Sequence, residues 1–271
     1  MRSAQVMSLL VMLGMPTVTV ADFDHRAWDQ LLDEYVQEFD GGQVTAVDYA
    51  GIAGARSRLT SYLDSLAAVS RPEFDSWAEA EQLAFLINGY NAWTVDLIVS
   101  EYPQIDSIRD IGFLPGAAWR RNIVSLFGEQ VSLDDVEHGM IRGWDRYQEP
   151  RIHFAVNCAA IGCPALRAEA YTGPELESQL EDSTRLFLSD RSRNYIESDG
   201  VYISRIFDWY EEDFEQGWLG VNSVHEFLLR YAEVLGASPE QRAGLRQESL
   251  RVRYLDYDWG LNELPRQRAS D

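Results

Sequence analysis

The stretch RIHFAVNCAAIGCPAL, residues 151–166, contains both cysteines of the chain, Cys158 and Cys163, and one of its four histidines, His153. An apolar run, IHFAV, leads into the polar turn NCAAIGCP. This pattern predicts a buried strand over 151–158 that ends in a turn. Reactive side chains often lie at such positions, because a rigid element holds them while the loop keeps them accessible. The stretch is therefore the first candidate for a functional site.

The patterns on either side of this stretch mix helices and strands without a regular alternation. Such a mixture is typical of an α+β fold rather than of a doubly wound sheet. With 271 residues, of which 46% are hydrophobic, the chain can form one full core. We therefore predict a single mixed helix/strand domain over residues 22–271. Helices are predicted at 25–39, 52–69, 77–100, 133–142, 175–190, 206–214 and 221–235, and strands or hairpins at 44–49, 120–131, 195–204 and 250–259.

The charge of the chain narrows the possible function classes. The formal net charge is -21, and all 23 basic residues are arginines. Without lysine, the chain cannot form a Schiff base, a P-loop lysine contact or a Ser-Lys dyad. Its excess of acidic residues repels a phosphate backbone, so we expect no nucleic-acid partner.

The first 21 residues have the pattern of a secretory signal. Arg2 precedes an apolar run at 6–15, Pro16 follows, and Thr-Val-Ala at 19–21 resembles a cleavage site. The apolar run is too short to span a bilayer comfortably. We expect a mature chain that begins near Asp22, lies in the periplasm or outside the cell, and has no transmembrane anchor.

A catalytic thiol is one chemistry that the two cysteines allow. A nucleophilic Cys158 needs a base that favours its thiolate. His153 lies five positions before it, and His138, on a predicted helix beside Glu137, is a second candidate. Positions five apart on an ideal strand face opposite sides, so His153 reaches Cys158 only if the strand bends at Asn157.

A disulfide and a metal site are the other two possibilities. Cys158 and Cys163 lie close enough in sequence to form a bridge in an oxidising compartment. Together with His153 and His138 they also form a Cys2His2 set of the kind that zinc binds. The H-x4-C-x4-C spacing differs from the common zinc patterns, so we predict no metal and no other cofactor.

Asn88, Tyr90 and Asn91 form a polar cluster in the most apolar predicted helix, 77–100. An unpaired buried amide costs on the order of 1–3 kcal/mol, so each asparagine needs a specific partner. The amides either bind loop backbone, including the turn around Cys158, or contact a substrate.

Several segments together resemble one family, the domain of unknown function 547 of bacteria, plants and nematodes, of which this chain looks like a secreted bacterial member. The resemblance covers about residues 45–262. Its motifs are VDY at 47–49, AFLINGYNA at 84–92, SLDDVEHGMIR at 132–142, the stretch at 151–166, AY at 170–171, IFDWYEEDF at 206–214 and YDWGLN at 257–262.

The resemblance implies a set of site residues and a choice between two states of the cysteines. This sequence matches the family motif at Asn88, Tyr90, Asn91, Glu137, His138, His153, Asn157, Cys158, Cys163 and Pro164. Members in intracellular proteins favour free thiols over an obligatory disulfide. The resemblance also implies a distant likeness to papain or transglutaminase folds, by analogy alone.

We therefore hypothesise a cysteine-dependent hydrolase or acyl transferase. Cys158 is its nucleophile, His153 or His138 its base, Asn157 an orienting amide and Glu137 a partner of the base. Its substrate is a small molecule, a peptide or a glycan, contacted by the cluster in the 77–100 helix. The alternative is a non-catalytic envelope module with a Cys158–Cys163 disulfide or a Cys/His metal site.

Overall fold

The computed structural model describes residues 22–265, so the predicted secretory signal lies outside the described residues. Within this range the chain is one α+β domain that mixes helices with small sheets, as predicted. No helix of this range is long and apolar enough to cross a bilayer.

The helices and strands follow in chain order. The α-helices are α1 (Arg26–Tyr35), α2 (Tyr49–Gly54), α3 (Arg56–Ala67), α4 (Arg71–Asp75), α5 (Glu79–Glu101), α6 (Leu176–Ser189), α7 (Ile206–Trp209), α8 (Glu211–Phe214), α9 (Val224–Arg230) and α10 (Pro239–Arg246). The strands are β1 (Val36–Phe39), β2 (Val44–Val47), β3 (Val124–Leu126), β4 (Glu129–Val131), β5 (Tyr195–Glu197), β6 (Gly200–Ile203) and β7 (Val252–Tyr254).

The strands form three small sheets. β1 pairs antiparallel with β2, and β3 with β4. β6 lies between β5, to which it is antiparallel, and β7, to which it is parallel. The turn between β3 and β4 has positive φ at Phe127 and Gly128, 55° and 81°, as a two-residue hairpin turn requires. Hairpins are therefore present within both of the predicted segments 120–131 and 195–204, with strands shorter than those segments.

α5 is the central helix, and the predicted long apolar helix is confirmed. Most of its residues are buried, including all three members of the polar cluster at 88–91. A helix that is buried nearly all round has no solvent face, so its polar side chains must find partners inside the protein. At its first turn the buried carboxylate of Glu81 accepts from the backbone N–H of Phe23, at 2.8 Å, and of Gly173, at 3.0 Å.

The stretch at 151–166 lies between two hydrophobic clusters. One cluster surrounds α5 and includes Ile152 and Val156. The other contains Phe207, Phe214 and Phe227 and receives Phe154 from the same stretch. Alternate side chains of 151–156 therefore join the two halves of the core.

The predicted strand over 151–158 is wrong. Residues Pro150–Phe154 form a 3-10 helix, and the chain then continues without a neighbouring strand. Pro150 occupies the first helical turn, where it needs no hydrogen-bond donor, and the Glu149 carboxylate accepts from the N–H of Arg151 at 3.1 Å. The buried Arg151 guanidinium then pairs with Glu149 and Glu177, at 2.6 and 2.7 Å. The apolar run is therefore a turn that is fixed by the ion pairs of one buried arginine.

Several other predicted elements are shorter than expected; the helix predicted over 221–235, for example, is present only as Val224–Arg230. The helix predicted over 25–39 ends at Tyr35 and continues as β1. The strand predicted over 250–259 pairs only through β7, and residues 257–264 then run as an extended segment along the two-cysteine turn. In that segment the Gly260 carbonyl accepts from Ile161 N–H, and the Asp258 carbonyl from Gly162 N–H, both at 2.8 Å.

A buried histidine makes folding stability depend on pH. His25 is 4% exposed, its Nδ1 lies 2.7 Å from the Tyr62 hydroxyl, and burial lowers its pKa from 6.5 to about 3. Below pH 6.5 the unfolded chain therefore takes up a proton that the folded protein does not. We expect His25 to remove about 1 kcal/mol of unfolding free energy between pH 6.5 and 5.5. Urea denaturation of the wild type and of His25→Gln checks this, because glutamine can still bind Tyr62. Equal losses in the two proteins between these pH values would contradict it.

Candidate functional site

A pocket of about 440 Å³ collects six of the residues predicted as catalytic, substrate-binding or disulfide-forming, from three separate segments of the chain. Its floor and walls include Tyr90 from α5, Glu137 and His138 from the helical turn at 133–141, His153, Cys158 and Cys163. The turn Asp135–Ile141 is wound as a π-helix, a form that is rare and frequent at functional sites. Its start is fixed by Ser132 and Asp135, each of which accepts a hydrogen bond from the other's backbone N–H, the reciprocal pattern of a capping box.

Cys158 and Cys163 form a disulfide, and both line the pocket. Cys158 is half-buried, whereas Cys163 is buried. The Tyr257 hydroxyl lies 3.2 Å from the sulfur of Cys158 and donates to that of Cys163 at 3.1 Å. Among the described residues, neither sulfur has a histidine as a hydrogen-bond partner. In this state Cys158 has no free thiol, and a tyrosine rather than an imidazole is the polar group beside it.

The turn between the two cysteines is held by contacts from distant parts of the chain. The Arg193 guanidinium donates to the carbonyl of Cys163 and, at 2.8 Å, to that of Gln43. Ala159 adopts a positive φ of 61°, a conformation that costs energy for a residue with a side chain and needs support from its surroundings. At Gly162 a Cβ atom would lie 3.0 Å from the backbone of Asp258, so only glycine permits this close approach.

His153 belongs to a half-buried cluster with Asp213 and Arg142 instead of contacting Cys158. Its Nε2 lies 2.6 Å from the Asp213 carboxylate, which also accepts two hydrogen bonds from Arg142, at 2.5 and 3.0 Å. Burial lowers the pKa of His153, despite the neighbouring carboxylate. Burial alone raises the pKa of Asp213, but the hydrogen bonds from His153 and Arg142 outweigh it and hold that pKa well below its usual range. His153 is thus a neutral ring with a fixed orientation.

His138 is the exposed histidine of the pocket. Its Nδ1 lies 2.7 Å from the Arg142 guanidinium, and because arginine only donates, Nδ1 is the acceptor. The proton of the neutral ring is therefore on Nε2. The Arg142 guanidinium thus contacts His138 directly and is linked to His153 through the Asp213 carboxylate.

Glu137 faces the pocket directly. Its buried carboxylate accepts a hydrogen bond from the Tyr210 hydroxyl at 2.6 Å. The Tyr210 ring stacks on His153 with 3.8 Å between ring centres. Burial and the nearby Glu137 carboxylate raise the pKa of Tyr210 and of Tyr90 above the usual tyrosine range. Both phenols therefore stay protonated and are hydrogen-bond donors beside a carboxylate.

An aromatic wall closes one side of the pocket. Trp209, Tyr257 and Trp259 lie with ring centres 4.6–5.7 Å apart, and Trp119 meets Trp259 edge-on at 5.8 Å. Trp209 is 43% exposed, so part of its ring face is available to a ligand. Asp134 lies in the same pocket, and burial raises the pKa of its carboxyl.

The three asparagines of the predicted site bind backbone. Asn88 accepts from the N–H of Tyr171 and donates to its carbonyl, at 3.0 and 2.7 Å. Asn91 donates to the Ala155 carbonyl and accepts from Asn157 N–H, at 2.9 and 2.8 Å. The side chain of Asn157 binds the Pro164 carbonyl and the N–H of Ala159. Of the two alternatives given for the amides, binding of loop backbone and contact with a substrate, these contacts correspond to the first. Among the three polar residues of the α5 cluster, it is Tyr90 that lines the pocket.

Several site residues were not predicted as participants: Arg142, Trp209, Tyr210, Asp213, Tyr257 and Trp259. Each lies in a motif that carries the family resemblance, the segments 132–142, 206–214 and 257–262. Their signal was a cluster of acidic and aromatic residues, which also fits ordinary core packing. Among residues 22–265 no group of three or more His, Cys, Asp or Glu side chains is arranged to hold a metal ion.

Fold and site together define an α+β domain with an aromatic-walled pocket that has a disulfide in its lining. Residues 74–188 match the model of a family described as "Protein of unknown function, DUF547". The match supports the resemblance over this segment, which contains the three predicted asparagines, Glu137, both pocket histidines and the disulfide. No curated protein and no solved structure matches the chain.

Loss of the Asn91 amide is expected to destabilise the protein. Asn91→Ala leaves the buried Ala155 carbonyl and Asn157 N–H without partners, at a cost of about 2–4 kcal/mol. Asn222→Ala is a matched control, because that exposed amide also donates to a backbone carbonyl, Gly220, at 2.8 Å. Urea denaturation measures both. A cost for Asn91→Ala no larger than for the control would contradict the assigned role.

Proposed function

We propose that the domain binds a small ligand of the carbohydrate class in the 440 Å³ pocket, and that the Cys158–Cys163 disulfide is a structural part of its lining. The observation that carries the proposal is the aromatic wall of Trp209, Tyr257 and Trp259 beside the polar group of Glu137. Ligand pockets combine apolar walls with a few placed polar groups in this way.

The two sides of the pocket suit the two faces of a sugar ring. Pyranose rings have an apolar C–H face that packs on aromatic rings, and the half-exposed Trp209 offers such a face. Sugar hydroxyls bind carboxylates and phenols, and Glu137, Asp134 and Tyr90 lie in the same pocket. Arg109 stacks over Trp259 at 5.2 Å and adds a donor. Hydrogen bonds to charged groups are about twice as strong as neutral ones and favour a hydroxyl-rich ligand.

The disulfide supports a structural role and an oxidising location. A bridge removes the free thiolate that nucleophilic catalysis needs, and disulfides persist mainly in the periplasm and outside cells. We propose a periplasmic or secreted location on this ground and on the pattern of residues 1–21. The alternative function predicted from the sequence, an envelope binding module, is thus the one that the pocket favours.

Two substitutions are expected to separate the ring contact from the polar contact. Trp209→Ala removes the exposed ring, and Glu137→Gln keeps the shape of the side chain but removes its charge. Each is expected to weaken sugar binding about tenfold, measured by calorimetry against a panel of mono- and disaccharides. Phe39→Ala, an exposed aromatic on β1, is the control that leaves affinity unchanged. Failure of the wild type to bind any member of the panel would refute the proposal.

A thiol-dependent hydrolase or acyl transferase is the second candidate, favoured by the half-buried position of Cys158 in the pocket. An external dithiol must first open the bridge and is itself oxidised to a disulfide. His138 or His153 takes the proton of the freed Cys158 thiol, and the thiolate attacks an ester or amide carbonyl. The C–O or C–N bond breaks, the alcohol or amine leaves with that proton, and water or an acyl acceptor then cleaves the thioester and restores the thiol. Of the two histidines, His138 is the exposed one, and Asn157 already binds backbone with both ends of its amide.

The thiol state decides between the two candidates. Under the binding proposal, alkylation without reductant leaves both cysteines unlabelled. The intact mass is then lower than that of the reduced chain by two hydrogen atoms. After reduction by dithiothreitol we expect Cys158 to react before Cys163, which is 4% exposed. The hydrolase is supported if reduction also produces hydrolysis of an ester such as p-nitrophenyl acetate that Cys158→Ser abolishes and Cys163→Ser retains. Rapid labelling without reductant would instead overturn the structural role of the bridge.

A further inference from the structure

The loop at 111–118, between the 3-10 turn Ile108–Asp110 and Trp119, exposes two consecutive large hydrophobic side chains. Phe113 is 106% exposed relative to its reference state, and Leu114 is 70% exposed. Gly112 and Gly116 flank them with φ values of 91° and 72°, so the chain turns sharply on either side of the tip. Both side chains therefore protrude into solvent at a real cost in exposed apolar surface.

The base of the loop is firmly attached to the core. Ile111 and Ala118 at its two ends are buried. The Arg120 guanidinium donates to the Pro115 carbonyl at 2.5 Å and braces the loop from the side. The exposure of the tip is thus a property of an anchored structure rather than of a frayed chain.

The loop borders the mouth of the pocket. Gly116 and Trp119 line the pocket from the loop and its C-terminal end, and Arg109 lines it from the N-terminal side. Trp209, 43% exposed, lines the same pocket. Ile161, 50% exposed, lies 3.2 Å from the Cβ position of Gly260, next to Trp259 of the aromatic wall. The loop is therefore one of several places near the pocket where large apolar side chains are exposed.

The charge around the loop is opposite to that of the whole protein. The segment 109–121 carries three arginines and one aspartate, in a chain of net charge -21. Arg121 pairs with Glu101 at 2.8 Å, whereas Arg109 and Arg120 have no carboxylate within ion-pair distance among the described residues. Apolar tips with arginines behind them are typical of segments that insert shallowly into a bilayer whose headgroups are anionic.

We propose that the loop 111–118 docks the protein on a phospholipid bilayer that contains anionic lipid. Phe113 and Leu114 enter the acyl boundary, Arg109 and Arg120 lie at the phosphates, and the pocket opens at the level of the headgroups. The convex shape favours a bilayer over a protein partner, because a protruding tip inserts into a soft surface without a preformed cavity. The proposal does not depend on the pocket's ligand.

Co-sedimentation with vesicles tests the docking surface. The vesicles are phosphatidylcholine alone or with 30% phosphatidylglycerol, at low salt. We expect binding of the wild type to the mixed vesicles, weakened more than tenfold by the double substitution Phe113→Ser and Leu114→Ser. Arg120→Gln is expected to weaken it about fivefold. Leu219→Ser, which removes a side chain that is 63% exposed elsewhere, is the matched control and leaves binding unchanged.

Three results would overturn the proposal. The first is no binding of the wild type to either vesicle. The second is equal binding of the wild type and the doubly substituted protein. The third is a concentration-dependent dimer in solution that the double substitution disperses, since the loop would then be a contact between two copies of the chain. Circular dichroism of each variant confirms that its fold is retained.

Discussion

The structure depends on how an irregular, buried stretch of backbone obtains its hydrogen bonds. Residues 155–164 have no regular strand beside them, only a single antiparallel bridge from Ala160 to Leu261 in the extended segment. An unpaired buried backbone group costs about 1–3 kcal/mol. Two amide side chains take the place of a sheet: Asn91 from the central helix and Asn157 within the stretch. The side chain of Asn262, from the extended segment, donates to that of Asn157 at 3.4 Å. The backbone of Asn262 adds a hydrogen bond to the carbonyl of Ala159. These buried amides thus have a structural role, because they fix the path of the backbone that leads to the disulfide.

A second, charged support lies on the other side of the same stretch. Arg142, Asp213 and His153 hold one another in a half-buried cluster, and Tyr210 covers the imidazole while binding Glu137. Because each member restricts the next, the side chains at the pocket have little freedom to rearrange. Such preorganisation lowers the cost of ordering a site when a ligand binds. The pocket is therefore largely formed before anything enters it.

The residues that lie together at the pocket were predicted better from the sequence than the backbone conformation and the contacts that hold them there. Helical periodicity predicted α5, and the alternating residues around a glycine predicted the hairpin at Phe127–Gly128, because both signals are local in the sequence. The run IHFAV looked like a strand, since periodicity cannot distinguish a buried strand from a buried turn. Its true conformation depends on Arg151 pairing with Glu177, which is distant in sequence. In the same way, Tyr257 beside the sulfurs and Asp213 beside His153 result from tertiary contacts that no local pattern encodes.

The extended segment at 257–264 gives the pocket a place in the order of folding. Tyr257 meets Cys158 across 99 positions, and Asn262 binds the Tyr49 hydroxyl across 213. Contacts so far apart in sequence form late, because a long loop must close before they contribute stability. The hydrophobic cluster around the central helix draws mainly on residues before 181, so it can assemble earlier. We therefore expect the pocket to be completed late in folding, when residues 257–264 reach the two-cysteine turn. A formed pocket then also reports that the two ends of the described domain have come together.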